Sequence, residues 1–330
     1  MLRHRLLLRP FGSLLAALFL LMQLTALAAP APRPGPPLAQ PTAALPTGPL
    51  AFQTSDSVRL FVKIAGRGVP CVVVHGGPGA GSYGLEHLGL QPLESSLQLI
   101  YLDQRGSGRS ASSPRRAYGL ARQVQDLEEL RQRLGLRQWV LLAHSFGGVI
   151  ATAYAQRYPE HVQGLVLVNA VLNPVASLES MVHYGDSLLP AAARPQLPPS
   201  APLPQRLGAT MQALGQQKLL YQLQYATDTV AARANRVVQQ QPGNRDFAAH
   251  VFDFPDYGRD YAPATAALQL PVLVLAGHDD YTAGPRAYQA WHFPRQQVVV
   301  LPGRHQVLQE QPARTQQAVR TFVAALPRRR

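Results

Sequence analysis

Short β-rich runs alternating with amphipathic stretches from residue 58 onward predict a mostly parallel α/β sheet. Two further observations sharpen that class. A run of buried type at 139–142 leads through Ser145 directly into a stretch of small residues. The strand–helix rhythm then breaks between about Leu172 and Thr265, as it would for a helical insertion between two strands of one sheet.

Two segments of different character precede the alternation. Residues 1–28 have the pattern of a secretory signal peptide: Arg3, Arg5 and Arg9 are basic, 14–22 is apolar and uncharged, and Ala26-Leu27-Ala28 supplies small residues for cleavage. An uncleaved anchor is the competing reading, because the apolar run over 11–29 is nearly long enough to span, although Gln23 interrupts it. No cysteine lies near Ala28 to take a lipid. Residues 29–50 contain eight prolines and no apolar period, the composition of a semi-extended linker. The folded domain is therefore expected from about Ala51, with its core in 51–171 and 266–330 and a helical cap insertion over 172–265. The expected destination is the periplasm or the exterior, with no stable membrane span after cleavage.

Within the core, 58–64 reads as a strand closed by turn glycines Gly66 and Gly68. Residues 71–74 and 99–102 form short apolar runs. Leu120, Val124, Leu127, Leu130 and Leu134 recur at helical spacing and end at Gly135. A strand over 139–142 and a helix over 146–158, stopped by Pro159, come next. Strands follow at 165–168, 272–275 and 298–301, and a terminal helix over 313–326 opens behind Pro312. Proline clusters between Pro190 and Pro204 and Gln-rich helical pieces fill the insertion.

The chain has 330 residues, 46% hydrophobic, with a formal charge of +13 and one cysteine, Cys71. That apolar content excludes wholesale disorder, and a single cysteine excludes an intrachain disulfide framework. The arginines that dominate the basic count are scattered apart from the terminal Arg328-Arg329-Arg330, and no aromatic–basic array accompanies them. A nucleic-acid partner is therefore not expected.

The strand–Ser145–helix junction has the context of a nucleophile elbow, with small residues Ala143 and Gly147 flanking the serine at two positions' distance. A neutral hydroxyl needs a base and an orienting acid. In this architecture they follow in the order acid, then histidine. The run 272–277 ends in His278-Asp279-Asp280, and 298–301 is followed by a loop ending at His305. The residues alone leave Asp279 and Asp280 as competing acids. His75-Gly76-Gly77-Pro78-Gly79 follows the 71–74 strand and offers backbone N–H groups for an oxyanion, with a second donor from the residue after the nucleophile, Phe146. Gly79-Ala80-Gly81-Ser82-Tyr83-Gly84 also fits a dinucleotide fingerprint, with Asp103 at ribose-binding spacing. Against that reading, four residues, His75 to Pro78, separate the first glycine from the strand, and no clean helix pattern follows.

HGGPG at 75–79, DQRGSGRS at 103–110 and AHSFGG at 143–148, with the 277–280 turn and the His305 loop, make the chain resemble an α/β-hydrolase of the proline iminopeptidase type. The resemblance spans about 58–326 except the insertion. It implies an α/β-hydrolase fold, Ser145 as nucleophile, His305 as base, and Asp280 rather than Asp279 as the acid, from the family's Gly-x-x-Asp spacing. It also implies Gly77 and Phe146 as oxyanion donors, a bracing role for Asp103 and Arg105, no cofactor and no metal, and a small peptide substrate. Phe146 stands where typical members carry Trp. The family's cap glutamates bind the substrate's α-amino group, whereas Glu179 is the only Glu between Leu172 and Thr265. Two alternatives stand beside the aminopeptidase: a carboxylesterase acting on small acyl esters, and a hydrolase-fold protein that binds without turnover.

Overall fold

The computed structural model describes residues 45–327. Its centre is an eight-stranded sheet: β1 (Gly48–Gln53), β2 (Arg59–Gly66), β3 (Val69–Val74), β4 (Leu97–Leu102), β5 (Trp139–His144), β6 (Val162–Val168), β7 (Val272–Gly277) and β8 (Gln296–Leu301). The order across the sheet is β1-β2-β4-β3-β5-β6-β7-β8. The pairs β1–β2 and β2–β4 are antiparallel and the other five are parallel. β1 begins within the segment read as linker, because Gly48 to Gln53 find a complete partner in β2. Proline content upstream did not prevent this, since an edge strand needs hydrogen bonds on one side only.

The central strands are buried on both faces, as all-apolar runs predict. Period-two alternation sends Val72 and Val74 to one core and Cys71 and Val73 to the other. The first core is closed by helix Leu120–Arg133, through Val124, Leu127 and Leu130, and by helix Gly147–Arg157, through Val149, Ile150 and Tyr154. The second is closed by helix Pro312–Ala324 through Val319, Phe322 and Val323, and by short helical turns over 83–95 that contribute Leu85, Leu90 and Leu93.

Between β6 and β7 the chain forms helices Pro174–Leu188, Leu203–Gln216, Asp228–Gln239 and Asp246–His250, joined by 3-10 turns. Local chemistry starts two of them: the Asn173 side chain accepts from the Ala176 N–H, and Thr227 from the Val230 N–H. The insertion has a small core of its own around Leu189, Leu214 and Leu223. It is tied to the sheet's C-terminal edge by paired backbone bonds between Asn244 and Gly108 and by the Phe247 N–H donating to the Gly106 carbonyl. Tyr118 also donates to the Asp246 carboxylate. No helix among the described residues is long and apolar enough to cross a membrane. The expected signal peptide lies outside the described residues, as does all of the expected linker before Leu45.

Candidate active site

Ser145 follows β5 with φ at +54°, a left-handed conformation that turns the chain sharply from strand to helix. Its N–H donates to the Val168 carbonyl, and its own carbonyl accepts from Gly148 and Val171, so the turn is held from both sides. Only small neighbours fit. A Cβ on Gly76 would lie 2.7 Å from the Ser145 Cβ, and one on Gly147 would overlap the Val74 and His75 carbonyls. The glycines that mark the motif in sequence are thus places where β3, β5 and the following helix nearly touch.

Three loops at the C-terminal ends of β5, β7 and β8 converge on this serine. His305 Nε2 lies 2.8 Å from Ser145 Oγ. His305 Nδ1 lies 2.9 Å and 3.1 Å from the two Asp280 oxygens. Asp280 Oδ1 also accepts from the N–H groups of Thr282 and Ala283, at 3.1 Å and 2.9 Å. Burial pushes the Asp280 carboxyl up, but the His305 ring and these donors outweigh it and hold the group below the usual carboxylate range. A carboxylate facing Nδ1 sets the tautomer: Nδ1 carries the proton, and Nε2 is left to accept from the serine hydroxyl. Asp279, the competing acid, instead turns to the exposed His278 ring, 2.8 Å away. The neighbouring carboxyls differ because Asp280 is buried and Asp279 is half-exposed to water.

The HGGPG loop follows β3, the strand that pairs directly with β5. Gly77 adopts φ of +120°. Among the described residues, no hydrogen bond uses the N–H of Gly77 or of Phe146, so both donors of the expected oxyanion pair are uncommitted. His75 organises the loop. Its Nε2 accepts from the Gln104 N–H at 3.0 Å, and its Nδ1 donates to the Gly76 carbonyl at 2.9 Å. One acceptor and one donor require a neutral ring, and burial, the first cause, holds its proton affinity low.

Asp103 and Arg105 take the bracing positions expected of them. Asp103 Oδ1 accepts from the Ser82 N–H and hydroxyl, both at 2.6 Å, and Oδ2 from the Arg109 N–H and Nε, at 2.8 Å and 2.7 Å. No oxygen is left for a ribose, which disposes of the dinucleotide reading. Arg105 is wholly buried between Asp56 and Asp126.

Two further residues support the site. Asn169, at the end of β6, donates from Nδ2 to Asp280 Oδ2 at 2.8 Å and to the Arg304 carbonyl at 3.1 Å. His144 Nε2 lies 3.3 Å from the His305 carbonyl, and burial, then the His305 ring, pushes its pKa down to about 3. From the insertion, Phe247 and Tyr257 pack their rings 6.1 Å and 5.3 Å from that of Phe146. Among the described residues, no cluster of three His, Cys, Asp or Glu side chains is placed to hold a metal ion.

Known proteins share this fold. The family model for the alpha/beta hydrolase fold matches residues 69–312. Over 124 residues the chain is 36% identical to a proline iminopeptidase of Neisseria meningitidis, covering 35% of this chain and 38% of that protein. The matched stretch therefore spans well under half of that relative. Among solved structures, a proline iminopeptidase-related protein from Thermus thermophilus superposes with a TM-score of 0.73 at 25% identity, over 86% of this chain and 99% of that one. An esterase from Exiguobacterium antarcticum shares the fold at a TM-score of 0.62 and 17% identity, over 83% and 99% of the two chains. The match over 69–312 takes in every strand from β3 to β8 and all three converging loops, and this chain belongs to the alpha/beta hydrolase fold family.

Proposed function

We propose that this protein is an exported serine hydrolase that cleaves an amide or ester bond through Ser145, His305 and Asp280, most like a proline iminopeptidase acting on the N-terminus of a small peptide. The observation that carries the reading is the unbroken hydrogen-bonded line from Ser145 Oγ through both His305 nitrogens to Asp280. In the proposed reaction, His305 Nε2 removes the hydroxyl proton as Oγ attacks the carbonyl carbon. Asp280 stabilises the imidazolium that forms. The N–H groups of Gly77 and Phe146 receive the developing oxyanion, a contribution of about 2.7–4 kcal/mol per donor in comparable sites. His305 then protonates the leaving amine or alcohol, and water, activated by the same ring, releases the acyl-enzyme. His305 must be neutral to start, because Nε2 has to accept the hydroxyl proton.

A carboxylesterase is the second reading, and one observation favours it. Glu179, the sole glutamate of the insertion, is already paired with Arg206 at 2.5 Å. Export is supported by the basic and apolar runs of residues 1–28 and the Ala26-Leu27-Ala28 site, and mature protein beginning at Ala29 would establish it.

The deciding assay sets purified protein beside Ser145→Ala on proline p-nitroanilide and p-nitrophenyl butyrate. Serine-dependent release from the proline amide establishes the aminopeptidase. Ester cleavage alone moves the assignment to carboxylesterase. Equal activity in Ser145→Ala overturns the mechanism.

A further inference from the structure

We propose that Asn169 is a positioning residue that holds the Asp280 carboxylate and the His305 loop in register, acting on the reaction through Asp280 without touching substrate. The proposal rests on the reading of Ser145, His305 and Asp280 given above.

The amide sits between two acceptors. Nδ2 has two N–H bonds to give, and it faces Asp280 Oδ2 at 2.8 Å and the carbonyl of Arg304, the residue before His305, at 3.1 Å. Turned over, the amide would set its oxygen against both acceptors, so the orientation is fixed by chemistry. The cost shows on the other side: Asn169 is 2% exposed, and its Oδ1 has no hydrogen-bond partner. Leaving a buried carbonyl unpaired is unfavourable, so the Nδ2 contacts must outweigh it.

The backbone supports the same assignment. Asn169 has φ of +44°, and its N–H donates to the Leu275 carbonyl at 2.8 Å. Asparagine is among the few non-glycine residues that tolerate this conformation. Ser145 and Asn169 are thus matching left-handed turns at the ends of neighbouring strands β5 and β6, one presenting the hydroxyl and the other the donor behind the acid.

Besides His305, which faces both oxygens, Asp280 Oδ1 has two backbone donors, whereas Oδ2 has only Asn169. Without the amide, the carboxylate keeps more of its charge for the imidazole and is held about its Cβ–Cγ bond through Oδ1 and His305 alone. The two consequences are a slower reaction and a His305 ring that holds its proton to higher pH.

The test compares the intact protein with Asn169→Gly and Asn169→Asp, both of which suit a positive φ, after circular dichroism confirms folding. In Asn169→Gly, kcat for p-nitrophenyl butyrate should fall about 10- to 100-fold, as happens on losing outer partners of site residues, while KM stays nearly constant and the acid limb of kcat/KM moves to higher pH. In Asn169→Asp, the new carboxyl can donate to Asp280 when protonated and repels it when ionised. The ratio of its kcat to that of the intact protein should therefore fall as pH rises, a trend a merely structural role would not produce. Proton NMR of the downfield His305 Nδ1–H supplies a reading that needs no substrate: its titration midpoint should move up in Asn169→Gly. A pH-independent ratio in Asn169→Asp, or an unchanged NMR midpoint in Asn169→Gly, overturns the proposal. Because the NMR arm is independent of turnover, a protein that cleaves neither substrate would refute the hydrolase reading and still decide the role of Asn169.

Discussion

Two buried polar clusters lie at the same edge of the sheet, and they end differently. In the 103–110 loop every charge is met. Arg105 donates all five of its N–H bonds, two to Asp126, two to Asp56 and one to the Ala117 carbonyl. Asp103 accepts on both oxygens from Ser82 and Arg109. In the second cluster the donors converge on Asp280: backbone N–H groups and Asn169 donate to it from one side, and from the other the Ser145 hydroxyl donates to His305, whose Nδ1–H donates to Asp280. Beyond His305, no hydrogen bond among the described residues uses the Ser145 hydroxyl. A closed network spends its polarity on holding the fold, whereas an open chain ending at a hydroxyl has polarity left for a reactant.

Substitutions can break this comparison. The largest effect is expected at Asp280→Asn, which removes the carboxylate that sets the His305 tautomer and should lower kcat by about 10⁴-fold. Asp279→Asn, on the neighbouring exposed side chain, should leave kcat almost unchanged; a comparable loss there would reverse the assignment of the acid.

The next effect is on stability in acid. His144 is buried and neutral, with its pKa pushed down to about 3 from the ordinary 6.5. The unfolded chain binds a proton there below pH 6.5 and the folded chain does not. Folded stability therefore falls with pH through this window, by up to about 4–5 kcal/mol between pH 6.5 and pH 3. Urea unfolding at pH 7 and pH 4 should show a smaller difference for His144→Gln than for the intact protein. Equal differences would show that His144 does not carry the linkage.

Arg105→Met should cost about 3–5 kcal/mol of folding stability, because Asp126 is left buried without that partner. Turnover per folded molecule should hardly change. A selective loss of kcat without a fall in melting temperature would mean that the closed network takes part in the chemistry.

The smallest effect is expected at Glu179→Gln. Helix Pro174–Leu188 faces the Asp280 loop through Ser177 and Ser180, whose hydroxyls donate to the Thr282 and Tyr281 carbonyls. Glu179 projects from a different side of the helix, toward Arg206. KM for a proline amide should move less than about twofold, since half-exposed ion pairs contribute little. A large rise in KM would instead make Glu179 the amine-binding acid and favour the aminopeptidase.

The sheet strands, the elbow and the glycine loop were legible because each is written in contiguous residues. Apolar runs such as 139–142 have few other uses, and Gly76 and Gly147 mark close backbone approaches that a side chain would block. β1 was hidden because Gly48 to Gln53 has no strong alternation and becomes a strand by pairing with β2. Asn169 was hidden for a related reason. It is an ordinary residue at a strand end, and its partner Asp280 lies 111 positions away.

By itself, then, the chain indicated the class of its fold, an elbow serine at Ser145, a glycine loop over 75–79 with N–H groups to offer, and the order serine, acid, histidine. These depend on backbone conformations and side-chain types that neighbouring residues impose. Tertiary structure decided that Asp280 and not Asp279 meets His305, and that Asn169 stands behind it. Those choices depend on which side chain points inward when three strands separated by long stretches of chain are laid side by side. Burial then made each hydrogen bond there obligatory.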